Sequence, residues 1–264
     1  MPEGDTVHLA ARRLDEALSG RELTRTDLRV PRFATADLAG QTVLETVARG
    51  KHLLTRTDAS VTLHTHFKMD GSWRLYRPGA RWHGPAHEVR AVLATEPWVA
   101  VGHRLGIVEL VRTDAEDAVV GHLGPDVLGP DWDPDLAVSN LARDPARPIG
   151  EALVDQRLLA GPGNVYKSEA LFLRGVHPWT PAGVVDLPAL VGLVKRLMEA
   201  NRETGMQVTT GDPRRGHGRW VYARTGDECR RCGTPIRRAM QGDAPEERVT
   251  YWCPGCQPEA RGEA

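Results

Sequence analysis

Cys229-Arg230-Arg231-Cys232 and Cys253-Pro254-Gly255-Cys256 stand twenty residues apart and use all four cysteines of the 264-residue chain. Two Cys-x-x-Cys pairs at this spacing fit a four-cysteine zinc ribbon, with each pair on a tight knuckle and the intervening segment folded as a hairpin. Four thiolates leave no open coordination position, so the zinc is expected to be structural, one per chain. A hairpin this small cannot bury a core, and the metal would supply its folding energy. Two disulfides are disfavoured without a secretory signal, and a redox motif would need only one pair. The same region carries Arg230, Arg231, Arg237, Arg238 and Arg248. A rigid hairpin bearing arginines suits contact with nucleic acid.

Upstream, Leu159-Ala160-Gly161-Pro162-Gly163-Asn164-Val165-Tyr166-Lys167-Ser168-Glu169 reads as helix, tight turn, helix. A plain helix–helix turn and an anion site are both compatible with it. In the second case the N–H groups at the start of the new helix hold a phosphate, and Asn164 either caps that helix or donates to the phosphate. Helical patterns are predicted at about 135–143, 148–159, 164–174 and 187–204. Residues 124–134 contain three prolines and two glycines and read as a linker and hinge.

The N-terminal half has a different texture. Residues 5–19 predict a helix, with Val7, Ala10, Ala11, Leu14, Ala17 and Leu18 on one stripe, Asp5 or Thr6 as cap, and Gly20 as terminator. From 22 to 120 the pattern is of short β segments, among them 41–47, 52–57, 61–66 and 107–112, which predicts a β-sandwich or barrel-like domain. The expected class is α+β with two domains. The expected division is 1–123 for an N-terminal catalytic domain, 124–134 for the hinge, 135–210 for the helical domain, 211–257 for the zinc finger and 258–264 for a tail.

The formal net charge of −1 conceals an uneven distribution. Residues 113–155 hold ten acids against two arginines, whereas 195–248 hold twelve Lys or Arg against eight acids. A basic face in the last third is therefore expected, alongside the alternative of ordinary solvated charge. Lysine occurs only at 51, 68, 167 and 195, against thirty arginines. Lysine can lose its proton near neutral pH and arginine cannot, so a chemical amine must be one of these four or the N-terminus. No run of eighteen apolar residues occurs, and Met1-Pro2-Glu3-Gly4-Asp5 has neither the basic nor the apolar part of a signal peptide. A cytoplasmic protein is expected, with no membrane partner.

Removal of Met1 would leave Pro2 with a free secondary amine. Such amines titrate near roughly 8 and keep a neutral fraction at physiological pH. An amine nucleophile can attack a sugar C1′ and leave an imine, which acidifies the neighbouring proton and permits β-elimination. Glu3 stands beside it as a general acid/base.

Met1-Pro2-Glu3-Gly4 at the start, Gly161-x-Gly163-Asn164-x-Tyr166-x-x-Glu169 in the middle and the cysteine quartet at the end occur in the order found in the Fpg/Nei family of DNA glycosylases. The resemblance spans about residues 1–257, and Met-Pro-Glu-Gly-Asp-Thr-Val resembles the actinobacterial endonuclease VIII-like members. It implies a β-sandwich N-terminal domain with an N-terminal helix. It also implies a C-terminal domain with a helix–two-turns–helix and a four-cysteine zinc finger, with damaged DNA in the cleft between the domains. The implied catalytic residues are Pro2 as Schiff-base nucleophile, Glu3 as catalytic carboxylate, and Lys51, in Arg49-Gly50-Lys51-His52-Leu53-Leu54, as a phosphate-binding group that assists base loss. The implied DNA contacts are His66, Asn164 and Arg248 on phosphates, with Met69 as the wedge that fills the stack when a nucleotide is extruded. A satisfied structural histidine and a core methionine are the alternatives for His66 and Met69. Cys229, Cys232, Cys253 and Cys256 are the implied zinc ligands.

Two departures qualify the resemblance. Asp5-Thr6 replaces Pro-Glu of many members. Val101-Gly102-His103-Arg104-Leu105-Gly106 lies where Fpg-type members carry an Arg-x-Phe loop, and Leu105 would replace the aromatic ring. The second departure favours the endonuclease VIII preference for oxidised pyrimidines over 8-oxoguanine. The expected function is thus a monomeric, nucleoid-associated bifunctional glycosylase/AP lyase acting by β,δ-elimination on double-stranded DNA, with bubble or single-stranded substrates also compatible. The alternatives are an Fpg-like 8-oxoguanine glycosylase, a catalytically inactive damage-binding protein, and a zinc-ribbon transcription or RNA-processing factor.

Overall fold

Helix α1 (Gly4–Leu18) buries Val7, Leu14, Ala17 and Leu18, the stripe expected of an amphipathic helix. The computed structural model describes residues 2–244 and 247–259; the expected tail, 258–264, lies largely outside them. The chain divides into two units, Met1–His122 and Leu123–Ala264.

In the first unit, β1 (Arg25–Leu28), β2 (Val43–Arg49), β3 (His52–Thr57), β4 (Val61–His66), β5 (Ser72–Tyr76), β6 (Val89–Ala94), β7 (Val99–His103) and β8 (Ile107–Arg112) form two antiparallel four-stranded sheets. Their orders are β1-β6-β7-β5 and β2-β3-β4-β8. Alternate side chains point to opposite faces of a strand. Leu53, Leu63 and Val108 from one sheet therefore meet Leu28, Leu93 and Ala100 from the other, with α1 closing the same core. Burial of each large aliphatic side chain contributes about 1.5–3 kcal/mol. A short helix, α2 (Asp117–Val120), completes the unit. The sandwich is as expected. The helix start differs: Glu3 is the N-cap, without a side-chain cap bond, and Asp5 falls inside the first turn.

The second unit contains α3 (Pro134–Ala142), α4 (Ile149–Ala152), α5 (Asn164–Arg174) and α6 (Leu187–Asn201), followed by the hairpin β9 (Arg237–Gln241) and β10 (Arg248–Trp252). Asp133 and Asp186 cap α3 and α6 by accepting from Leu136 N and Ala189 N, and Gly175, at φ +68°, closes α5. Leu141, Ile149, Leu159, Tyr166, Leu171, Leu190, Val194 and Met198 form the helical core.

The helix predicted over 148–159 is a single turn, α4. Beyond it, Asp155 binds the Arg147 and Arg157 side chains and Gln156 binds Val154 O, Pro162 O and Gly161 N. Side-chain bonds to local backbone compete with helix propagation. Similarly, α6 stops at Asn201 rather than 204, because the Asn201 amide bonds both Val208 O and Val208 N. Part of the proline-rich stretch 124–134 is packed rather than loose. Val127 is fully buried, and Pro125 O and Val127 N bond Ala160.

Candidate functional site

Pro2 is half-buried and Glu3 wholly enclosed at the start of α1. The first turn of a helix favours a neighbouring negative charge. Helix α1 packs along β2. Its C-terminal end is tied to the start of that strand through Gly20 N–Val43 O and to its middle through Thr46 N–Asp15 Oδ1 at 2.7 Å. From Asp15 back to Glu3 the helix spans roughly 18 Å, and from Thr46 forward to Lys51 the strand spans roughly 16 Å. Glu3 and Lys51 therefore lie at the same end of the unit.

Lys51 sits at the tip of the β2–β3 hairpin. Arg49 pairs with His52, so Gly50-Lys51 is a two-residue turn, and Gly50 at φ +59° supplies the positive φ such turns need at the first position. The register His52↔His66 brings the end of β4 beside this tip. His66 Nδ1 accepts from Lys68 N at 2.8 Å, which leaves Nε2 as the proton-bearing nitrogen of the neutral ring. Burial, followed by the charges of Lys68 and Lys51, lowers the His66 pKa to about 4. The ring is thus a neutral donor flanked by two ammonium groups. Met69 follows in the β4–β5 turn and is 63% exposed, which removes the core alternative for it.

Leu105, expected to replace the aromatic ring of the Fpg-type loop, does not stand exposed on that loop. It is buried in the sandwich core against Gly102, where even a Cβ would meet its Cδ1 at 2.4 Å. Adjacent Arg104, at φ +48°, pairs with Glu88.

In the second unit, Gly163 is the N-cap of α5 and Asn164 its first residue, so Asn164 does not cap the helix. Its side-chain amide instead donates to Val249 O, the residue after exposed Arg248, while its Oδ1 is buried without a protein partner. One helical turn on, Lys167 Nζ donates to Thr250 Oγ1 at 2.6 Å. These two bonds fix β10, and with it Arg248, beside the start of α5. Glu169, fully buried, accepts from Trp220 N, Val221 N, Tyr222 N and the Thr209 hydroxyl. Four donors on one carboxylate hold residues 209–222 against α5.

The Sγ atoms of Cys229, Cys232, Cys253 and Cys256 all lie within 4.8 Å of one another, with separations of 3.8 Å for 229–256 and 3.5 Å for 232–253. Sulfurs at about 2.3 Å from a tetrahedral zinc would stand about 3.8 Å apart, so the quartet fits a metal. Phe172, Val221 and Ile236 pack beneath it. Not every finger arginine faces outward as a candidate contact: Arg230 bonds Arg219 O and Gly216 O, and Arg231 lies over Phe172 at 4.6 Å.

The sandwich, the helical unit and the cysteine hairpin define a class, and the comparisons agree. Residues 1–108 match the model for the formamidopyrimidine-DNA glycosylase N-terminal domain and 123–209 that for its H2TH domain. The chain belongs to the Fpg/Nei family. It is 57% identical to "probable endonuclease 8 2" of Streptomyces coelicolor, over 97% of this chain and 94% of that protein. It is 48% identical to "DNA-(apurinic or apyrimidinic site) lyase Nei2" of Mycolicibacterium smegmatis, over 97% and 99%. Its fold matches a Lactococcus lactis formamidopyrimidine-DNA glycosylase crystallised with DNA containing an abasic site, at TM-score 0.81 and 23% identity, over 98% of this chain and all of that one. Among the described residues no helix is long and apolar enough to cross a membrane.

Sequence reasoning missed the contacts that hold the site. The sequence offers Glu169 only as a motif position and Lys167 only as a candidate amine, and nothing in spacing alone says that a buried lysine reaches a strand some eighty residues away. A local signal did exist for the histidines: His64 and His66, two apart in a strand, must share a face.

Proposed function

We propose that this protein is a bifunctional DNA glycosylase and AP lyase that removes oxidised bases, pyrimidines favoured, from damaged DNA. The observation that carries the proposal is Glu3: a carboxylate wholly buried at the start of α1, next to Pro2 and at the same end of the unit as Lys51. Enclosed titratable groups beside a nucleophile are a mark of catalytic sites.

In this reading the Pro2 amine forms a bond to C1′ of the damaged nucleotide as the C1′–base bond breaks. Glu3 and Lys51 manage the protons, and the imine acidifies C2′–H. Loss of that proton expels the 3′ phosphate, and a second elimination expels the 5′ phosphate, leaving a one-nucleotide gap with phosphate ends. Met69 supports the extruded state from an exposed turn. His66, Lys51, Asn164 and Arg248 contact phosphates, giving salt-sensitive binding. Zinc on the four cysteines holds the finger and takes no part in the chemistry.

The test is strand cleavage of duplexes carrying thymine glycol, 8-oxoguanine or a preformed abasic site, with end-group analysis. Cleavage at thymine glycol exceeding that at 8-oxoguanine, with phosphates on both ends, is the expected result. The reverse order would move the assignment to an Fpg-type enzyme. Binding without cleavage of the abasic duplex would make it a damage-binding protein.

A further inference from the structure

One face of the β2-β3-β4-β8 sheet carries a line of titratable side chains that the proposed chemistry does not use. His64 Nδ1 lies 2.7 Å from Glu109 Oε1, its register partner on β8. His64 Nε2 lies 2.7 Å from His52 Nδ1 on β3. His64 is 1% exposed. The His52 and His64 rings stack with centroids 4.9 Å apart, and His52 meets His66 edge-on at 4.7 Å.

The donor–acceptor order along this line is determined. A carboxylate only accepts, so His64 Nδ1 bears the proton toward Glu109. A neutral imidazole has one N–H, so His64 Nε2 is a lone pair and must accept from His52 Nδ1–H. His52 Nε2 is then a lone pair as well. His66 has the opposite arrangement, because Lys68 N–H occupies its Nδ1. An acceptor nitrogen on His52 and a donor nitrogen on His66 thus occur on paired residues at the end of the sheet that carries Lys51.

We propose that Glu109 and His64 are positioning residues that lock His52 in its Nδ1–H tautomer and thereby hold the Gly50-Lys51 hairpin tip in register with His66. His52 is the residue through which the relay reaches Lys51: it follows Lys51 in the chain and pairs with His66 across the strands. The relay explains why a buried histidine, a half-buried one and a carboxylate occupy this face where apolar residues would pack as well. Buried polar chains orient their members when their donors are satisfied, and here both N–H groups of the line have acceptors, His64 Nδ1–H on Glu109 and His52 Nδ1–H on His64. The effect on catalysis rests on the function proposed above, whereas the tautomers can be read on the protein alone.

The test uses the full-length, zinc-loaded protein labelled with 15N-histidine. Long-range 1H–15N spectra report which ring nitrogen carries the proton, with assignments from single histidine substitutions. His52 and His64 are expected as Nδ1–H and His66 as Nε2–H at pH 7. Glu109→Ala is expected to release His64 and His52 into Nε2–H or mixed tautomers. It should also slow cleavage at a preformed abasic site about tenfold, the loss of one charge-assisted hydrogen bond, read as a single-turnover rate at saturating protein so that any weakening of the Lys51 and His66 phosphate contacts does not enter. Glu109→Gln keeps an acceptor for His64 Nδ1–H and is expected to restore both the tautomers and most of the rate, which separates orientation from a general loss of folding. His64 found as Nε2–H in the native protein would overturn the relay, as would Glu109→Ala with tautomers and cleavage both unchanged. A native protein with fixed tautomers but no cleavage would sink the proposed function and leave the relay as the fold's own device.

Discussion

Lys167 Nζ donates to Thr250 Oγ1 at 2.6 Å, with both side chains almost wholly enclosed, and so ties the helix after the glycine turn to the strand that carries Arg248. Lys167 is engaged with Thr250, and Lys195 bonds Val127 O and Glu199; Lys51 and Lys68 are the two lysines beside His66. Lys167→Ala is expected to cost about 2–5 kcal/mol, the scale for truncating a large buried side chain together with its hydrogen bond, measured by denaturant unfolding. Affinity for abasic DNA should fall along with it, because Arg248 loses its anchorage.

Glu169 offers a sharper probe of the same unit. Both its oxygens accept, taking three backbone N–H groups and a hydroxyl. Glu169→Gln replaces one acceptor with an NH2 group facing N–H donors. Each buried donor left unsatisfied costs about 1–3 kcal/mol and each carboxylate oxygen serves two donors, so a loss of about 2–6 kcal/mol is expected. Hydrogen exchange should show the backbone of Trp220, Val221 and Tyr222 losing protection first.

Metal content is directly measurable. One zinc per chain is expected by elemental analysis, and chelation should unfold the hairpin around Cys229–Cys256 and abolish DNA binding while the β-sandwich persists. Cys253→Ser should reproduce the effect without chelator. Zinc absent from a protein that still binds DNA tightly would contradict the structural role.

The histidine face predicts a pH dependence of stability. Burial, followed by His66, His64, His122 and Lys68, lowers the His52 pKa to about 3. Burial with Lys68 and Lys51 lowers the His66 pKa to about 4. Glu109 and Glu116 oppose burial at His64, whose pKa is nevertheless lowered. These rings take up protons more readily unfolded than folded, so stability rises with pH in this range. The stability is complete above roughly pH 6.5 and is lost as pH falls toward 4 and then 3. Thermal unfolding of the first unit at successive pH values should show the midpoint dropping below pH 6.5, and His52→Asn should flatten that drop. An unchanged midpoint from pH 7 to 5 would contradict the buried, neutral assignment.

Much of this architecture is legible in the sequence. The strands at 52–57, 61–66 and 107–112 announce themselves by alternation, with Leu53, Leu63 and Val108 on the sandwich core, whereas the helix from 164 to 174 is buried almost all round and is marked by the glycines before and after it. The predicted helix over 148–159 fails because Asp155 and Gln156 spend their side chains on nearby backbone and arginines, a contest that periodicity does not register. Leu105, read as the replacement for an aromatic ring, is not legible as a core residue from its loop, because it is bare Gly102 that opens a place for it in the core. The cysteine quartet is readable because metal geometry is written in spacing. The Glu109–His64–His52 line joins three strands whose register no single sequence reveals.

The central proposal is that the amine of Pro2 attacks the sugar. Purified protein confirmed to begin at Pro2 should be mixed with an abasic-site duplex and borohydride, and the adduct digested for peptide mapping. A stable protein–DNA adduct whose linked peptide begins at Pro2, lost in Pro2→Ala with its displaced primary amine and diminished in Glu3→Gln, is the expected result. No adduct, or an adduct mapped to Lys51 or Lys68 in the native protein, would contradict it.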